Sequence, residues 1–203
     1  MERRYVSNKN ETVRMFDSDL MEFFSHVHPL TPVVLYMPVI GYMLYVSLWQ
    51  RNLPIFVVAG LVLAGLLIWT LVEYVIHRYI FHYQPKSSWG KSLHFLVHGV
   101  HHDYPSDATR LVMPPVVSVP LAVLFYLLFA VIFGQLSSPI FAGFILGYVC
   151  YDVIHYATHH SAMKAGVWLR LKQYHLSHHY KDDHAGYGVS SPLWDYVFRT
   201  TRK

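Results

Sequence analysis

The sequence predicts an all-α integral membrane protein, with four transmembrane helices and a cytoplasmic, helical, histidine-rich cap. Three observations carry this prediction. The 203 residues are 54% apolar and only 14% charged, with a mean hydropathy of +0.28, whereas a soluble domain carries about 25% charge. The charges also leave long gaps. None falls between Glu22 and Arg51, between Arg51 and Glu73, or between Arg110 and Asp152. These runs of 28, 21 and 41 residues compare with the ~20 that a spanning helix needs. Finally, thirteen of the fifteen histidines lie from His77 onward.

The elements follow in order. Residues 1–29 form a polar cytoplasmic segment with no apolar stretch of the signal-peptide kind, and residues 30–203 form a single domain. The first gap gives a span over 30–49. The second gives 54–76, running on to His77. The third gap must hold two spans, 115–133 and 139–159, because Gly134-Gln-Leu-Ser-Ser-Pro139 is a turn sequence. Pro120 is expected to kink the third span. Four spans put both termini on one side. Arg3, Arg4, Lys9 and Arg14 precede the first span; Arg78, Lys86, Lys91 and Arg110 lie between the second and third; seven Lys/Arg follow the fourth. Arg51 alone falls on the opposite face, so the termini, the loop 77–114 and the tail 160–203 are cytoplasmic by the positive-inside rule. Every histidine cluster then lies on that face, which the span assignment did not assume.

Composition excludes several classes. One cysteine, Cys150, rules out a disulfide scaffold and is expected to be a small buried residue. The net charge is +4 with basic residues scattered, so no nucleic-acid partner is expected.

The histidines read as His77-Arg-Tyr-Ile-Phe-His82, His98-Gly-Val-His101-His102, His155-Tyr-Ala-Thr-His159-His160 and His175-Leu-Ser-His178-His179. Spacings of three and four put imidazoles on one helix face, aimed at a shared centre. His77 and His82, five apart, should diverge toward different metals. Neutral imidazole binds iron, zinc, copper and nickel, and ten such ligands suit two ions. His94, four residues before His98, and Asp152, three before His155, are expected to support ligand imidazoles without binding metal. His26 and His28 read as interfacial side chains, and His160 and His184 are left unassigned. Tyr187 and Trp194 read as packing residues or borders of a substrate entrance.

An all-histidine set differs from the Glu-x-x-His carboxylate pattern of di-iron bundles and lacks the His-Glu-x-x-His string of zinc peptidases. Two metals beside a bilayer suit oxidation of a lipid chain, which offers no polar handle for acid–base chemistry. A zinc hydrolase fits the ligands too, with Asp103, Asp107, Asp182 and Asp183 nearby. A metal transporter would need ionisable groups near mid-bilayer, and the spans carry none there.

The stretches Glu73-Tyr-Val-Ile-His77-Arg-Tyr-Ile-Phe-His82, His94-Phe-Leu-Val-His98-Gly-Val-His101-His102, Gly147-Tyr-Val-Cys-Tyr-Asp152-Val-Ile-His155 and Tyr174-His175-Leu-Ser-His178-His179 resemble the fatty acid hydroxylase superfamily, most closely its fatty acid 2-hydroxylases. The likeness runs in order over about residues 70–203 and includes Pro105–Pro115 and Gly186–Thr200. The resemblance implies ten ligands: His77, His82, His98, His101, His102, His155, His159, His175, His178 and His179. It implies two metal ions (iron in the active enzyme, zinc in some purified members), dioxygen, and hydroxylation at acyl C2 of a free fatty acid, a ceramide or another membrane lipid. Sterol or carotenoid hydroxylation and desaturation are the alternatives within the superfamily. Many members begin with a cytochrome b5-like domain, which 29 residues are too few to form. The expectation is therefore a separate cytochrome b5- or ferredoxin-type electron donor with its reductase, in a bacterial cytoplasmic membrane or the endoplasmic reticulum.

Overall fold

The structure, a computed structural model, describes residues 5–201 and has no strand among them. Its helices are α1 (Asp19–Ser25), α2 (Thr31–Tyr45), α3 (Ile55–Ile76), α4 (Ser88–His94), α5 (Val100–Asp103), α6 (Pro115–Phe133), α7 (Ser137–His160), α8 (Gly166–Tyr180) and α9 (Leu193–Val197). Single π-helical turns extend α2 over Val46–Gln50 and α3 over His77–Phe81, and a third, Phe95–Gly99, joins α4 to α5. Three stretches, Thr31–Gln50, Ile55–Phe81 and Pro115–His160, are long and apolar enough to cross a membrane.

The third stretch folds back on itself. Gly134 takes φ 53°, a short 3₁₀ turn spans Gly134–Leu136, and α7 starts at once. Phe129 of α6 thereby meets Phe141 and Phe144 of α7, and Phe125 also meets Phe144. The break is tighter than the sequence suggests: Ser137 to Pro139 belong to α7, because proline is tolerated in a first helical turn. Helix α6 continues through Pro120 from Pro115 to Phe133.

Helix α7 is the axis of the fold. It packs against α2, α3 and α6 and is buried at most positions from Ser137 to Val149. The closest approach is to α3. A Cβ on Gly65 would lie 2.0 Å from the Ile140 carbonyl, and one on Gly143 would lie 2.0 Å from that of Val62. Small residues of this kind let helix backbones meet where lipid offers no hydrophobic drive between helices. Beside this contact Trp69 packs edge-on against Phe144 and Tyr148, at 5.2 and 5.3 Å between ring centroids. Tyr148 also meets Tyr36 of α2, whose hydroxyl donates to Ser118 Oγ of α6 at 2.9 Å. The outward faces remain apolar, with Val34, Phe56 and Val131 among the most exposed side chains. Cys150 is exposed rather than buried, since an apolar outward face requires no polar cover in a membrane helix.

Residues 6–26 are tied to the segment 103–110 and to α8. The amides of Val6 and Ser7 donate to the Asp103 carbonyl, and Asn8 Oδ1 accepts from Ser106 Oγ and the Tyr180 hydroxyl. Further on, α1 is capped by Ser18. Its Glu22 accepts from the amides of Met15 and Phe16 and pairs with buried Arg110 at 2.6 Å. His26 bonds both Thr109 Oγ1 and Glu22, so it is a structural link and not an isolated interfacial side chain. Burial alone would raise the Glu22 carboxyl, but the two amides, His26 and Arg110 outweigh it and hold it at about 2.

Two predictions follow from this packing. Gly143→Val should lower stability by ~1–3 kcal/mol or more, because backbone fills the space its side chain needs. Gly60→Ala, where nothing lies within 4 Å, should be neutral or stabilising by ~0.5–1 kcal/mol; thermal unfolding in detergent compares them. The Glu22 stabilisation is complete above its unfolded value of about 4.5 and is lost as pH falls toward about 2. The difference in unfolding temperature between wild type and Glu22→Gln should therefore shrink across that interval, and a difference constant with pH would contradict the assignment.

Candidate metal centre

The ends of α3 and α7, the π turn before α5, α5 itself and α8 bring ten imidazoles together in two groups of five. The first holds His77, His82, His98, His102 and His178; the second holds His101, His155, His159, His175 and His179. Within each group the nitrogens facing inward all lie within 4.8 Å of one another. All ten histidines named from the sequence are in one group or the other.

Spacing alone misassigned them between groups, and helix geometry explains why. In an α-helix, residues five apart point ~140° away from each other. His77 and His82 nevertheless share the first group, because the His82 amide bonds the His77 carbonyl across a π-helical turn. A π turn closes i→i+5 and is often found at functional sites. Residues three apart do not stay together. His98 and His101 belong to different groups, as do His175 and His178, whereas His98/His102, His155/His159 and His175/His179 are paired at four. Offsets of three and four deviate ~60° and ~40° to opposite sides of a helix. A helix running between two centres therefore serves one with each. The groups share a wall, where the His102 and His179 rings stack at 4.2 Å.

The donor chemistry fits metal binding. Nε2 faces Nε2 between His77 and His98 (3.2 Å), His98 and His102 (3.1 Å) and His82 and His178 (2.9 Å). The second group repeats this between His101 and His155 (2.9 Å), His159 and His175 (2.9 Å) and His175 and His179 (3.1 Å). Nδ1 of His77 points at the Tyr187 carbonyl (2.5 Å) and that of His178 at the Ala185 carbonyl (2.9 Å). A carbonyl accepts only, so these Nδ1 atoms carry the proton and their Nε2 lone pairs point inward, as a metal requires. Cis ligands on a metal with bonds of ~2.0–2.1 Å stand ~2.9 Å apart, which matches the approaches within each group. Each group could hold one metal ion.

Electrostatics agree. Burial, followed by the mutual repulsion of the charged forms, holds His98, His101, His102, His175 and His179 well below the usual histidine range. Burial beside His178 and His102 brings His82 down to about 2. Burial also lowers His178, although the Ala185 carbonyl opposes it. These rings are neutral at pH 7, the form that binds metal.

The other candidates fall outside the groups. His94 lines a cavity of about 300 Å³ together with His82, His98, His102, His179, Asp103 and Asp183. Asp152 is buried one turn before His155, yet it hydrogen-bonds none of the ten imidazoles among the described residues. The carbonyls of Ala185 and Tyr187 support two other histidines of the set, His178 and His77. No side-chain pattern announces a backbone carbonyl acceptor, so these partners carry no sequence signal. His160 stacks on Tyr156, and His184 is exposed beside Asp183. The Tyr187 ring is buried against His77, His82 and His178, and Trp194 Nε1 donates to Thr70 Oγ1 at 3.0 Å.

A family model described as fatty acid hydroxylase matches residues 62–200, a range that contains both groups. The chain belongs to the fatty acid hydroxylase family. It is 39% identical to dihydroceramide fatty acyl 2-hydroxylase FAH2 of Arabidopsis thaliana, over 94% of this chain and 80% of that one. Mouse fatty acid 2-hydroxylase is 38% identical over 93% of this chain and 56% of its own. The ceramide very long chain fatty acid hydroxylase SCS7 of Saccharomyces cerevisiae is 41% identical over 88% and 48%. A solved structure titled full length scs7p, with only its hydroxylase domain visible, aligns with a TM-score of 0.84 at 39% identity, covering 91% of this chain and 70% of that one.

Because the rings are held neutral when folded and titrate near 6.5 when unfolded, the unfolded chain binds more protons below that pH. The metal-free protein should keep a constant unfolding temperature above about pH 7 and lose stability steadily below ~6.5. A profile flat down to pH 5 would contradict the neutral-cluster reading.

Proposed function

We propose that this protein is a membrane-embedded dimetal enzyme that hydroxylates C2 of a fatty acyl chain, free or carried by a ceramide-type lipid. The observation that carries this is the pair of five-histidine groups, in a chain whose relatives are named as acyl 2-hydroxylases. His77, His82, His98, His102 and His178 would hold one ion and His101, His155, His159, His175 and His179 the other. Iron bound in these groups would supply the oxidising chemistry that a C–H bond demands. The reaction balances as R–CH₂– plus dioxygen, two electrons and two protons giving R–CHOH– plus water, with the electrons from a cytochrome b5- or ferredoxin-type donor and its reductase.

The chain's own residues define the setting. The four long helices, α2, α3, α6 and α7, are read as bilayer spans, with the connecting segments and α8 capping the cytoplasmic end of α3 and α7. The distribution of Lys and Arg supports that orientation, as Arg51 alone lies at the other end. Along α4 and the π turn that follows it, Trp89, Leu93 and Val97 are exposed at a spacing of four, and α1 exposes Leu20, Met21, Phe23 and Phe24. Such faces suit the lipid interface and set the depth at which an acyl chain meets the histidines. Selectivity for C2 then comes from holding the lipid head at that interface, so that only the first carbons reach the metal groups. The buried, neutral ligand shell keeps competing protons away from the metal-binding nitrogens.

Lipid mass spectrometry of host membranes tests the reaction. With iron and a matched donor system, the wild-type chain should add one oxygen, derived from labelled dioxygen, at acyl C2. His178→Ala should reduce this to background. Oxygen at another carbon, or loss of two hydrogens, would overturn the C2 assignment; no oxidised lipid would overturn the enzyme class.

A further inference from the structure

Two buried carboxylates outside the histidine groups converge on one short loop. Glu73 sits one turn before His77 on α3, and Asp195 lies in α9; both are almost fully buried. Glu73 Oε1 accepts the amides of Val189 (2.7 Å) and Ser190 (2.8 Å), and its Oε2 accepts the Ser190 hydroxyl. Asp195 Oδ1 accepts the Tyr187 amide (2.9 Å) and the Thr200 hydroxyl (2.7 Å), while Oδ2 accepts the Gly188 amide (2.8 Å). Four successive amides, 187 to 190, therefore donate to carboxylates. The loop is closed by the Gly186 amide on the Thr200 carbonyl and the Thr200 amide on that of Asp195.

The carbonyls of this same loop, at Ala185 and Tyr187, receive Nδ1–H of His178 and His77. Both histidines belong to the first group. No histidine of the second group bonds this loop among the described residues: Nδ1 of His175 and of His179 is buried without a hydrogen-bond partner there, and the backbone beside His155 is that of Leu111. Burying a carboxylate is costly unless it is fully hydrogen-bonded, and a charged acceptor fixes an amide more firmly than a neutral one. Two such groups committed to the amides of four successive residues make that segment rigid.

We propose that Glu73 and Asp195 are positioning residues for the first metal centre alone: by clamping residues 187–190 they hold the Tyr187 and Ala185 carbonyls, which fix the tautomer and aim of His77 and His178. The inference rests on the dimetal reading above. It makes the two centres unequal, because the carbonyls of loop 185–190 brace His77 and His178 of the first and no histidine of the second.

Zinc binding to the purified full chain in detergent, followed by competition with a chelator, tests this without reference to turnover. Wild type should bind two equivalents. Glu73→Leu should weaken one of them by about 10–100-fold, the usual effect of removing support behind a ligand, and leave the other unchanged. The retained equivalent reports that the protein is folded. Asp195→Asn should act the same way, since one of its two ends must then present N–H to a loop amide. Glu73→Gln should hold both equivalents, because its carbonyl oxygen can still accept the Val189 and Ser190 amides and the Ser190 hydroxyl can reverse. Wild-type affinity for both equivalents in Glu73→Leu and Asp195→Asn would overturn the clamp. So would equal weakening of both, or a Glu73→Gln variant as weak as Glu73→Leu. Fewer than two equivalents in wild type would instead refute the dimetal reading, and the clamp with it.

Discussion

Ten imidazoles whose lone pairs converge on two points must stay neutral, and the rest of the structure serves that requirement. Protonating any of them would place a cation a few ångströms from several potential cations in a site with little water. Burial resolves this by holding the neutral form, and it is deep enough that His77, His98, His101, His155, His175, His178 and His179 are all nearly inaccessible. The cost is a cluster of polar rings taken out of water with few protein partners. The inward Nε2 atoms face one another, an arrangement suited to a metal ion that accepts their lone pairs.

The frame that allows this is the α3–α7 contact. Backbone meets backbone at Gly65 and Gly143, so the ends of both helices arrive side by side and deliver His77 and His155 to adjacent positions. An α-helix continued past His77 would then carry His82 away. The π turn over His77–Phe81 corrects the phase, and a second π turn over Phe95–Gly99 sets that of His98. Each such turn gives up regular hydrogen-bond geometry, a local cost that is accepted where a ligand must be aimed.

Around this centre, loop 185–190 and the amino-terminal strap fasten segments that lack long helices of their own. The strap ties residues 103–110 to α1 through Glu22 and Arg110, and the loop is anchored by Glu73 and Asp195. In both cases a carboxylate collects backbone amides. This is an economical way to fix irregular chain, because each amide would otherwise be an unsatisfied buried donor.

The sequence by itself determined the long helices, the turn near Gly134, the identity of the ten histidines and the family. These are matters of composition and local order: an apolar run long enough to span a bilayer, and an uncommon residue type repeated at short spacings. It could not divide the ten histidines between two centres, since that depends on the helical phase at His77–Phe81 and on the direction from which α5 and α8 approach. Nor could it show that Cys150 faces outward, that Asp152 is not a partner of the imidazoles, or that the carbonyls of Ala185 and Tyr187 are. A carbonyl is present at every residue and Glu73 and Val189 are far apart in the chain, so only the tertiary structure decides which of them meet.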